Sequence, residues 1–382
     1  MKVGIYYPFE PYVGGGERYT FATAEYLGRA HAVELITAGV SRVPALAASL
    51  GYDLSRVQLR PRTGYISPFE KAAGSKRYDL FICVSNHAVP PVASLGRRGV
   101  LLVQFPFPMH RKDWWRAGLL GPLMLRSYHL AVVYSAFAAK WLSLRSPRRV
   151  EIRVLPPPVV TVGASPEGPR DSIILAVGRF FEGQHSKRHD VLVEAFKELV
   201  DGGLRGWELH LAGSVRPEPE HQAYLARIRA LAEGYPVTIH IDMAQDDLLS
   251  LYRRASIFWH ATGYGSDEEQ RPEVMEHFGM VTVEAMSAGC VPIVIARGGQ
   301  PELVRHGVSG FLWTGLDELK ALTLHYASAD EAVQRAYRSA AIEASLQYAP
   351  GQFQTRLDGM VKYIMGGPGS SVARPKSKRP SL

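Results

Sequence analysis

Short apolar runs alternate with longer amphipathic stretches along the 382 residues, and this alternation predicts a parallel α/β protein. Apolar runs bounded by polar or glycine residues indicate buried strands, and the stretches between them have helical spacing. Two series of such strands occur, with a break near residue 160. The predicted strands are residues 2–7, 31–37, 79–84, 100–104 and 129–134 in the first series, and 173–177, 208–213, 237–241, 257–260 and 291–295 in the second.

The break between the two series has its own composition. Residues 156–158 are three prolines, which impose an extended backbone without sheet donors. A chain of this length also exceeds one compact core. We therefore predict a first domain at 1–158, a hinge at 159–171, a second domain at 172–348, a separate helix at 349–365 and a disordered basic tail at 366–382.

Cysteine content and hydropathy favour the cytoplasm. The only cysteines, Cys83 and Cys290, lie in apolar runs and imply no disulfide framework. The apolar run at the N-terminus is too short for a signal peptide, and no window approaches the length of a membrane span. We expect a cytoplasmic protein, with peripheral contact to the inner membrane face as a further possibility raised by its charge.

That charge is unevenly distributed. Residues 1–160 hold 21 basic and 9 acidic residues, whereas residues 161–365 hold 19 basic and 27 acidic ones. A basic first half indicates binding to an anionic surface or substrate. The sequence contains no motif of the kind that reads a nucleic-acid groove, so nucleic acid is not the expected partner. Residues 111–126 interleave Arg and Lys with Trp, Leu and Met, as an interfacial membrane segment does. A core-facing helix with extended arginines is the alternative.

The stretch from Glu276 to Ile295 carries the most specific chemistry. Residues 280–288 are predicted to form a helix that Gly289 ends with a positive φ, and a buried strand follows. The first N–H groups of a helix have no internal partners and attract anions. Glu276 precedes this helix and Glu284 lies within it, so a ligand with hydroxyls at both ends and phosphates between them would fit. An ordinary αβ unit with two solvated glutamates is the alternative.

This stretch resembles the Glu-x7-Glu motif of the retaining family 4 glycosyltransferases, which have the GT-B fold. The Phe278-Gly279 pair, the run Glu-Ala-Met-x-Ala-Gly and the following Gly298-Gly-Gln-Pro-Glu302 all match that family. The resemblance implies two Rossmann-like domains facing across a cleft, with the last helix crossing back to the first domain. It also implies that the first domain binds the acceptor and the second binds a nucleotide sugar.

The resemblance further implies roles for residues of the second domain. Arg179 and Lys187 match the cations that hold the donor diphosphate, although the loop between them is longer than the commonest spacing and Arg188 competes for the lysine role. Glu276 would accept hydrogen bonds from sugar hydroxyls and Glu284 from the ribose. The proposed donor-binding residues are Gly15, Gly16, Phe278, Gly279, Met280, Val281 and Glu284, and the proposed catalytic residues are Arg179, Lys187 and Glu276.

The first domain offers weaker candidates. Gly15 and Gly16 follow the first predicted strand, and in the family such a turn faces the diphosphate; a simple tight turn is the alternative. Gln104 stands where many relatives carry a histidine, and His110 lies downstream. We retain Gln104, His110 and His87 as acceptor-side candidates, each of which has a purely structural alternative.

The predicted function is transfer of a hexose, with retention, from a GDP- or UDP-linked sugar to a saccharide or lipid-linked saccharide in surface glycan synthesis. We expect no cofactor and no metal, since the acidic run Asp267-Glu268-Glu269 is of a kind that is usually solvated. The alternatives are a nucleotide-sugar epimerase of the same fold, a non-catalytic binding module, and a transferase that acts on a soluble acceptor.

Overall fold

The computed structural model describes residues 1–12, 14–109, 120–163, 165–168, 170–183 and 185–366. The first domain is built on a seven-stranded parallel sheet with the order β3-β2-β1-β4-β5-β6-β7. Its strands are β1 (Lys2–Tyr7), β2 (Ala32–Thr37), β3 (Val57–Pro61), β4 (Tyr78–Ser85), β5 (Gly96–Val103), β6 (Leu130–Val133) and β7 (Ile152–Val154).

The second domain is built on a six-stranded parallel sheet with the order β10-β9-β8-β11-β12-β13. Its strands are β8 (Asp171–Val177), β9 (Glu208–Gly213), β10 (Val237–Ile241), β11 (Ala255–His260), β12 (Val291–Ile295) and β13 (Phe311–Trp313). The prediction of two Rossmann-like parallel sheets is confirmed.

Helices connect the strands in both domains. They are α1 (Gly15–Gly28), α2 (Val43–Ser49), α3 (Arg62–Tyr65), α4 (Pro68–Ala73), α5 (Gly121–Leu125), α6 (Ala136–Arg145), α7 (His189–Asp201), α8 (Pro219–Ala232), α9 (Gln245–Arg254), α10 (Met280–Ser287), α11 (Gln300–Leu303), α12 (Leu316–Ala327), α13 (Glu331–Ser345) and α14 (Pro350–Gly366). Short 3-10 turns occur at Val40–Arg42, Pro272–Val274 and Leu346–Tyr348.

All ten predicted strands are present within a few residues of their expected bounds, whereas β3, β7 and β13 were not predicted. Each of these three strands lies at the edge of its sheet. β7 and β13 have only three residues, and β3 has a single buried position, Val57, and ends in a proline. Such short edge strands lack the continuous apolar run that identified the central strands.

In each sheet the order in which successive strands are added reverses between two adjacent central strands. These are β1 and β4 in the first domain and β8 and β11 in the second. In open parallel sheets, ligands bind outside the carboxyl ends of the strands at such a point. α1 begins at Gly15, shortly after β1 ends, and the loop leading to α7 follows β8. The two candidate ligand-binding edges therefore carry the glycine turn and the Arg179–Lys187 loop.

The last helix, α14, packs against the first domain. The Tyr26 hydroxyl donates a hydrogen bond to Asp358 at 2.7 Å, and the Tyr363 hydroxyl donates to Glu151 at 2.8 Å. The Arg153 guanidinium stacks over the Tyr363 ring at 3.6 Å. This packing joins the end of the chain to strands and helices formed by its first 160 residues.

Only part of the basic and aromatic segment 111–126 lies within the described residues, because residues 110–119 fall outside them. In α5, Met124 and Leu125 are buried and Leu123 is 54% exposed. Within the described ranges, no helix combines the length and the apolar character that crossing a bilayer requires. Membrane contact by this segment stays a prediction.

Candidate active site

Glu276 and Glu284 lie at opposite ends of a short path along the first turns of α10. Gly279 forms the N-terminal boundary of this helix with φ +106°, a left-handed conformation that glycine adopts without steric cost. The loop carrying Glu276 is fixed by the Gly299 N–H, which donates to the Glu276 carbonyl at 2.7 Å. A Cβ atom on Gly298 would collide with that carbonyl oxygen, so this glycine permits the close approach.

The Glu276 carboxylate has two cationic or polar neighbours. Lys187 Nζ lies 2.5 Å from Glu276 Oε2, and His260 Nε2 lies 3.2 Å from the same oxygen. The Glu276 side chain is only 15% exposed. Burial alone would raise its pKa, but the Lys187 ammonium and His260 outweigh that effect and hold the pKa well below the usual value. Glu276 is therefore a carboxylate acceptor in the neutral pH range.

Lys187 reaches Glu276 because Gly178 leaves room for it. A Cβ on Gly178, the residue after β8, would overlap the Cγ methylene of Lys187. The lysine stem thus runs directly across the glycine backbone, and its ammonium group reaches the loop before α10. The neighbouring candidate, Arg188, is engaged elsewhere: its guanidinium binds Asp190 at 3.1 Å and donates to the Tyr264 carbonyl at 2.6 Å.

Arg179 has no hydrogen-bonded or ion-paired partner within the described residues, and its nearest ring contact is Phe181 at 5.9 Å. Removal from water lowers its pKa, and the positive charge of Arg216 lowers it further. Arg216 also lacks an acidic partner among the described residues, and its guanidinium lies 5.5 Å from the ring of Tyr12 in the first domain. Glu17 of the first domain and Glu276 of the second act on the pKa of Arg179 in the opposite direction. Neither arginine has a carboxylate in direct contact among the described residues, so both could bind an anion.

Glu284, at the other end of the path, has different partners. Arg18 of the first domain lies 3.6 Å from Glu284 Oε1, and the Tyr252 hydroxyl donates to Oε2 at 3.2 Å. Burial raises the pKa of Glu284, and Arg18 and Tyr252 offset only part of this shift. The arrangement links the two domains at this carboxylate.

The glycine turn of the first domain meets the start of α10. Gly15 and Gly16 are the first residues of α1, so the helix begins at the glycines rather than after them. A Cβ on Gly15 would lie 3.1 Å from Met280 Sδ, and one on Gly16 would collide with the Gln104 amide. The following Glu17 accepts hydrogen bonds from the Tyr7 hydroxyl at 2.6 Å and the Tyr12 N–H at 3.1 Å.

The acceptor-side candidates have different surroundings. Gln104 follows β5, and its buried Nε2 has no hydrogen-bond partner among the described residues. His87 Nδ1 lies 3.2 Å from the Phe107 carbonyl, so one of its nitrogens is committed within its own domain. His110 lies outside the described residues. The geometry therefore places Gln104 beside Gly16 and leaves His87 as a residue with a structural contact.

The acidic run after β11 is engaged in loop contacts. Asp267 accepts the Glu269 N–H at 2.8 Å, Glu268 accepts the Gly298 N–H at 2.9 Å, and Glu269 pairs with Lys140 of the first domain at 2.5 Å. In the part of the chain that the structure describes, no group of three or more His, Cys, Asp or Glu side chains is arranged to hold a metal ion.

Polar contacts also join the domains beside the cleft. Glu302, at α11, accepts hydrogen bonds from the Ala136 and Phe137 N–H groups at 2.7 Å each, and so caps α6 of the other domain. The Ser135 hydroxyl donates to the His277 carbonyl at 2.5 Å. These bonds fix the loop that follows Glu276 against the first domain.

Sequence reasoning did not identify several partners of the two glutamates: His260, Tyr252 and Arg18. His260 ends a buried strand, which is a weak indication of a ligand-facing side chain. Tyr252 and Arg18 lie on separate helices, and Arg18 belongs to the other domain. Spacing along the chain does not reveal contacts of this kind.

Comparison with known proteins places this geometry in context. Residues 163–341 match the model of the family described as "Glycosyl transferases group 1". The second domain resembles the group 1 glycosyl transferases. The matched segment contains Arg179, Lys187, Glu276 and Glu284, so the site residues proposed for this domain all fall within it.

Curated relatives match less than half of the chain. A D-inositol 3-phosphate glycosyltransferase of Streptomyces griseus is 33% identical over 186 residues, which are 46% of this chain and 36% of that protein. A GDP-Man:Man(3)GlcNAc(2)-PP-Dol alpha-1,2-mannosyltransferase of Neurospora crassa is 29% identical over 167 residues, covering 39% and 27%. The chain thus spans about a third of the length of these relatives.

Solved structures resemble nearly the whole chain at low sequence identity. A glycosyltransferase from Rickettsia africae superposes with a TM-score of 0.72 at 16% identity, covering 95% of this chain and 98% of that one. Anabaena Alr3699/HepE in complex with UDP and glucose superposes with a TM-score of 0.70 at 15% identity, covering 95% and 99%. These similarities confirm the predicted GT-B fold.

Proposed function

We propose that the protein transfers a hexose, with retention of configuration, from a GDP- or UDP-linked sugar to a saccharide or lipid-linked saccharide. The observation that carries this proposal is the Lys187–Glu276 pair at the start of α10, opposite the Gly15-Gly16 turn and one helix turn from Glu284. A carboxylate, a cation and free helix N–H groups in one cleft suit a ligand that combines hydroxyls with phosphates.

In this proposal the donor lies along α10. Glu276 accepts hydrogen bonds from hydroxyls of the transferred sugar, and Glu284 accepts hydrogen bonds from the ribose. The backbone N–H groups of residues 278–281 face the sugar and diphosphate. The low pKa of Glu276 supports its role, because an ionised carboxylate is a stronger acceptor than a protonated one.

The cations stabilise the leaving group. As the glycosidic bond breaks, the departing nucleoside diphosphate gains negative charge, and Arg179 and Lys187 supply positive charge on that side of the cleft. Interactions that strengthen as charge develops accelerate the reaction. Attack by the acceptor on the same face of an oxocarbenium-like sugar would give retention without a protein nucleophile. The positive charge comes from side chains, so the proposal includes no divalent ion.

The acceptor proposal rests on charge and on the relatives. The basic first domain favours an anionic surface or substrate, and the Neurospora crassa relative bears a name that includes a lipid-linked diphosphate glycan. We therefore favour a lipid-linked acceptor in surface glycan synthesis, at the inner membrane face, over a soluble saccharide. An epimerase would instead convert the donor without any acceptor.

The test is hydrolysis of, and thermal stabilisation by, a panel of UDP-, GDP- and ADP-sugars, with wild type compared with Glu276→Ala. We expect one nucleotide class to raise the unfolding temperature and to be hydrolysed slowly, and we expect the variant to lose hydrolysis. Glu220→Ala, which removes an exposed carboxylate on α8, is the control and should behave as wild type. Repeating the assay with EDTA tests metal independence. No response to any donor would contradict the proposal.

A further inference from the structure

His185 lies in the loop between Arg179 and Lys187 and has taken no part in the site so far. Its backbone φ is +65°, the left-handed conformation that Gly or Asn ordinarily supplies. The turn is closed by the Ser186 N–H, which donates to the Gly183 carbonyl at 3.2 Å, and His185 sits directly before that closing residue. A side chain retained at a position suited to glycine costs conformational energy, and such residues cluster at ligand-binding sites.

The imidazole of His185 is held by rings from both domains. It packs edge-on against His277 with ring centroids 4.2 Å apart, and His277 stacks flat on Phe105 of the first domain at 3.8 Å. Phe107 lies edge-on to His185 at 6.1 Å. These contacts fix the plane of the His185 ring at the place where the two domains meet. The residue that it packs against, His277, directly follows Glu276 in the chain.

The packing holds the ring by its faces and edges but engages neither nitrogen. Within the described residues, the interactions of the His185 side chain are the ring contacts with His277 and Phe107, and neither ring nitrogen makes a hydrogen bond. This differs from His87, which binds a carbonyl, and from His260, which binds Glu276. A half-buried imidazole that is held by ring packing and has no hydrogen-bond partner among the described residues is available to a ligand.

The charges around His185 are those of the proposed reaction centre. Glu276 and Glu273 favour its protonation, whereas Lys187 and Arg179 oppose it, and the ring of His277 packs against it. Burial is the largest influence and lowers the pKa of His185 to about 4. The imidazole is therefore neutral in the neutral pH range, with one nitrogen that donates and one that accepts.

We propose that His185 is a substrate-contacting residue whose imidazole hydrogen-bonds a hydroxyl of the sugar bound beside Glu276. This inference rests on the proposed transferase function and adds a contact that comes from the loop between the two diphosphate-binding cations. It assigns that loop two tasks, because the same short segment would hold the leaving group and orient the sugar. The interaction is with the sugar and leaves the nucleotide untouched.

The test separates the imidazole from the conformation of its loop. His185→Gly deletes the side chain while allowing the positive φ, and His185→Asn keeps both the left-handed preference and a hydrogen-bonding group. His325→Gln, on the exposed face of α12, is the matched control. The readouts are kcat and KM for hydrolysis of UDP-glucose and GDP-mannose, together with the Kd of UDP and GDP by calorimetry.

We expect His185→Gly to lower kcat by about three- to tenfold, the equivalent of one neutral hydrogen bond. His185→Asn should recover part of this loss, and UDP or GDP affinity should stay within about twofold of wild type, since the nucleotide is not contacted. Wild-type kcat should be flat from about pH 5.5 to 8, because the ring is neutral throughout. A kinetic pKa within that range that disappears in His185→Asn would contradict a neutral role.

Two further outcomes would overturn the inference and can be told apart. An active wild type with unchanged kcat in His185→Gly would remove His185 from substrate contact and leave the transferase proposal standing. Equal loss in both variants together with loss of UDP and GDP affinity would make the residue a loop element only. A wild type silent towards both donors would overturn the proposed function and this inference with it.

Discussion

The two glutamates that flank the start of α10 are eight positions apart but have opposite electrostatic environments. The pKa of Glu276 is held well below its usual value, because Lys187 and His260 outweigh burial. The pKa of Glu284 is raised, because burial outweighs the help from Arg18 and Tyr252. The partners of Glu276 belong to its own domain, whereas Arg18 belongs to the other one.

The two ends of the site are therefore assembled differently. The Lys187–Glu276 pair is built within one domain and does not require the cleft to close. The Arg18–Glu284 contact, at 3.6 Å, depends on how the domains are placed. We therefore expect changes at the first pair to act mainly on turnover, and changes at the second to act mainly on donor affinity.

The largest effect is expected from Lys187→Ala. The change removes the cation nearest Glu276 and one of the two charges proposed to stabilise the leaving group, so donor turnover should fall at least tenfold. The far-UV circular dichroism spectrum should remain that of wild type. The exposed Lys362→Ala, on α14, controls for loss of a lysine. Unchanged turnover would remove Lys187 from the mechanism.

A nearly equal loss is expected from Gly178→Ala, although no charge changes. The added methyl group would occupy the space of the Lys187 stem and displace its ammonium from Glu276. Turnover should fall about tenfold, comparable to the loss of a charged hydrogen bond. Gly359→Ala in α14, where an added Cβ meets no neighbour, is the control. If kcat/KM were retained, the lysine position would not depend on this glycine.

A smaller effect is expected from Arg18→Ala. Losing a partly exposed interdomain pair should raise KM for the donor about two- to fivefold with little change in kcat. Because Arg18 lowers the pKa of Glu284, the variant should also lose donor affinity at a higher pH than wild type as the solution is acidified. KM measured across pH tests both points, and a change in kcat alone would contradict the assignment of this end to binding.

The smallest effects concern stability, and they should differ in sign. Glu276 has a depressed pKa, so its ionised form stabilises the fold above the unfolded-state pKa of about 4.3, and Glu276→Gln should lower Tm at pH 7. Glu284 has a raised pKa, so its ionised form destabilises the fold at neutral pH, and Glu284→Gln should raise Tm. The increase in Tm of Glu284→Gln should shrink as the pH falls, because wild-type Glu284 then becomes protonated. Tm shifts of the same sign would refute the comparison.

Much of the fold could be predicted from sequence because central parallel strands are continuous apolar runs. Each of the ten predicted strands forms, and Gly289 ends α10 with φ +80° as expected. The edge strands β3, β7 and β13 were not predicted, since β7 and β13 have three residues each and β3 has a single buried position. The helix at the glycine turn begins at Gly15 itself, and the missing side chains of Gly15 and Gly16 leave room for Met280 and Gln104.

Two parallel α/β domains could be predicted from the sequence, because buried strands are local apolar runs. Glu276, Glu284, Arg179 and Lys187 were candidate site residues because the segments that carry them resemble a family motif. The folded structure was needed to show that Lys187 rather than Arg188 faces Glu276, that Arg18 reaches Glu284 from the other domain, and that His185 lies where the two domains meet. Such pairings depend on where separate loops converge at the ends of two sheets. The spacing of residues along the chain does not reveal which loops converge. The contacts, the burial and the charges in the folded cleft do reveal it.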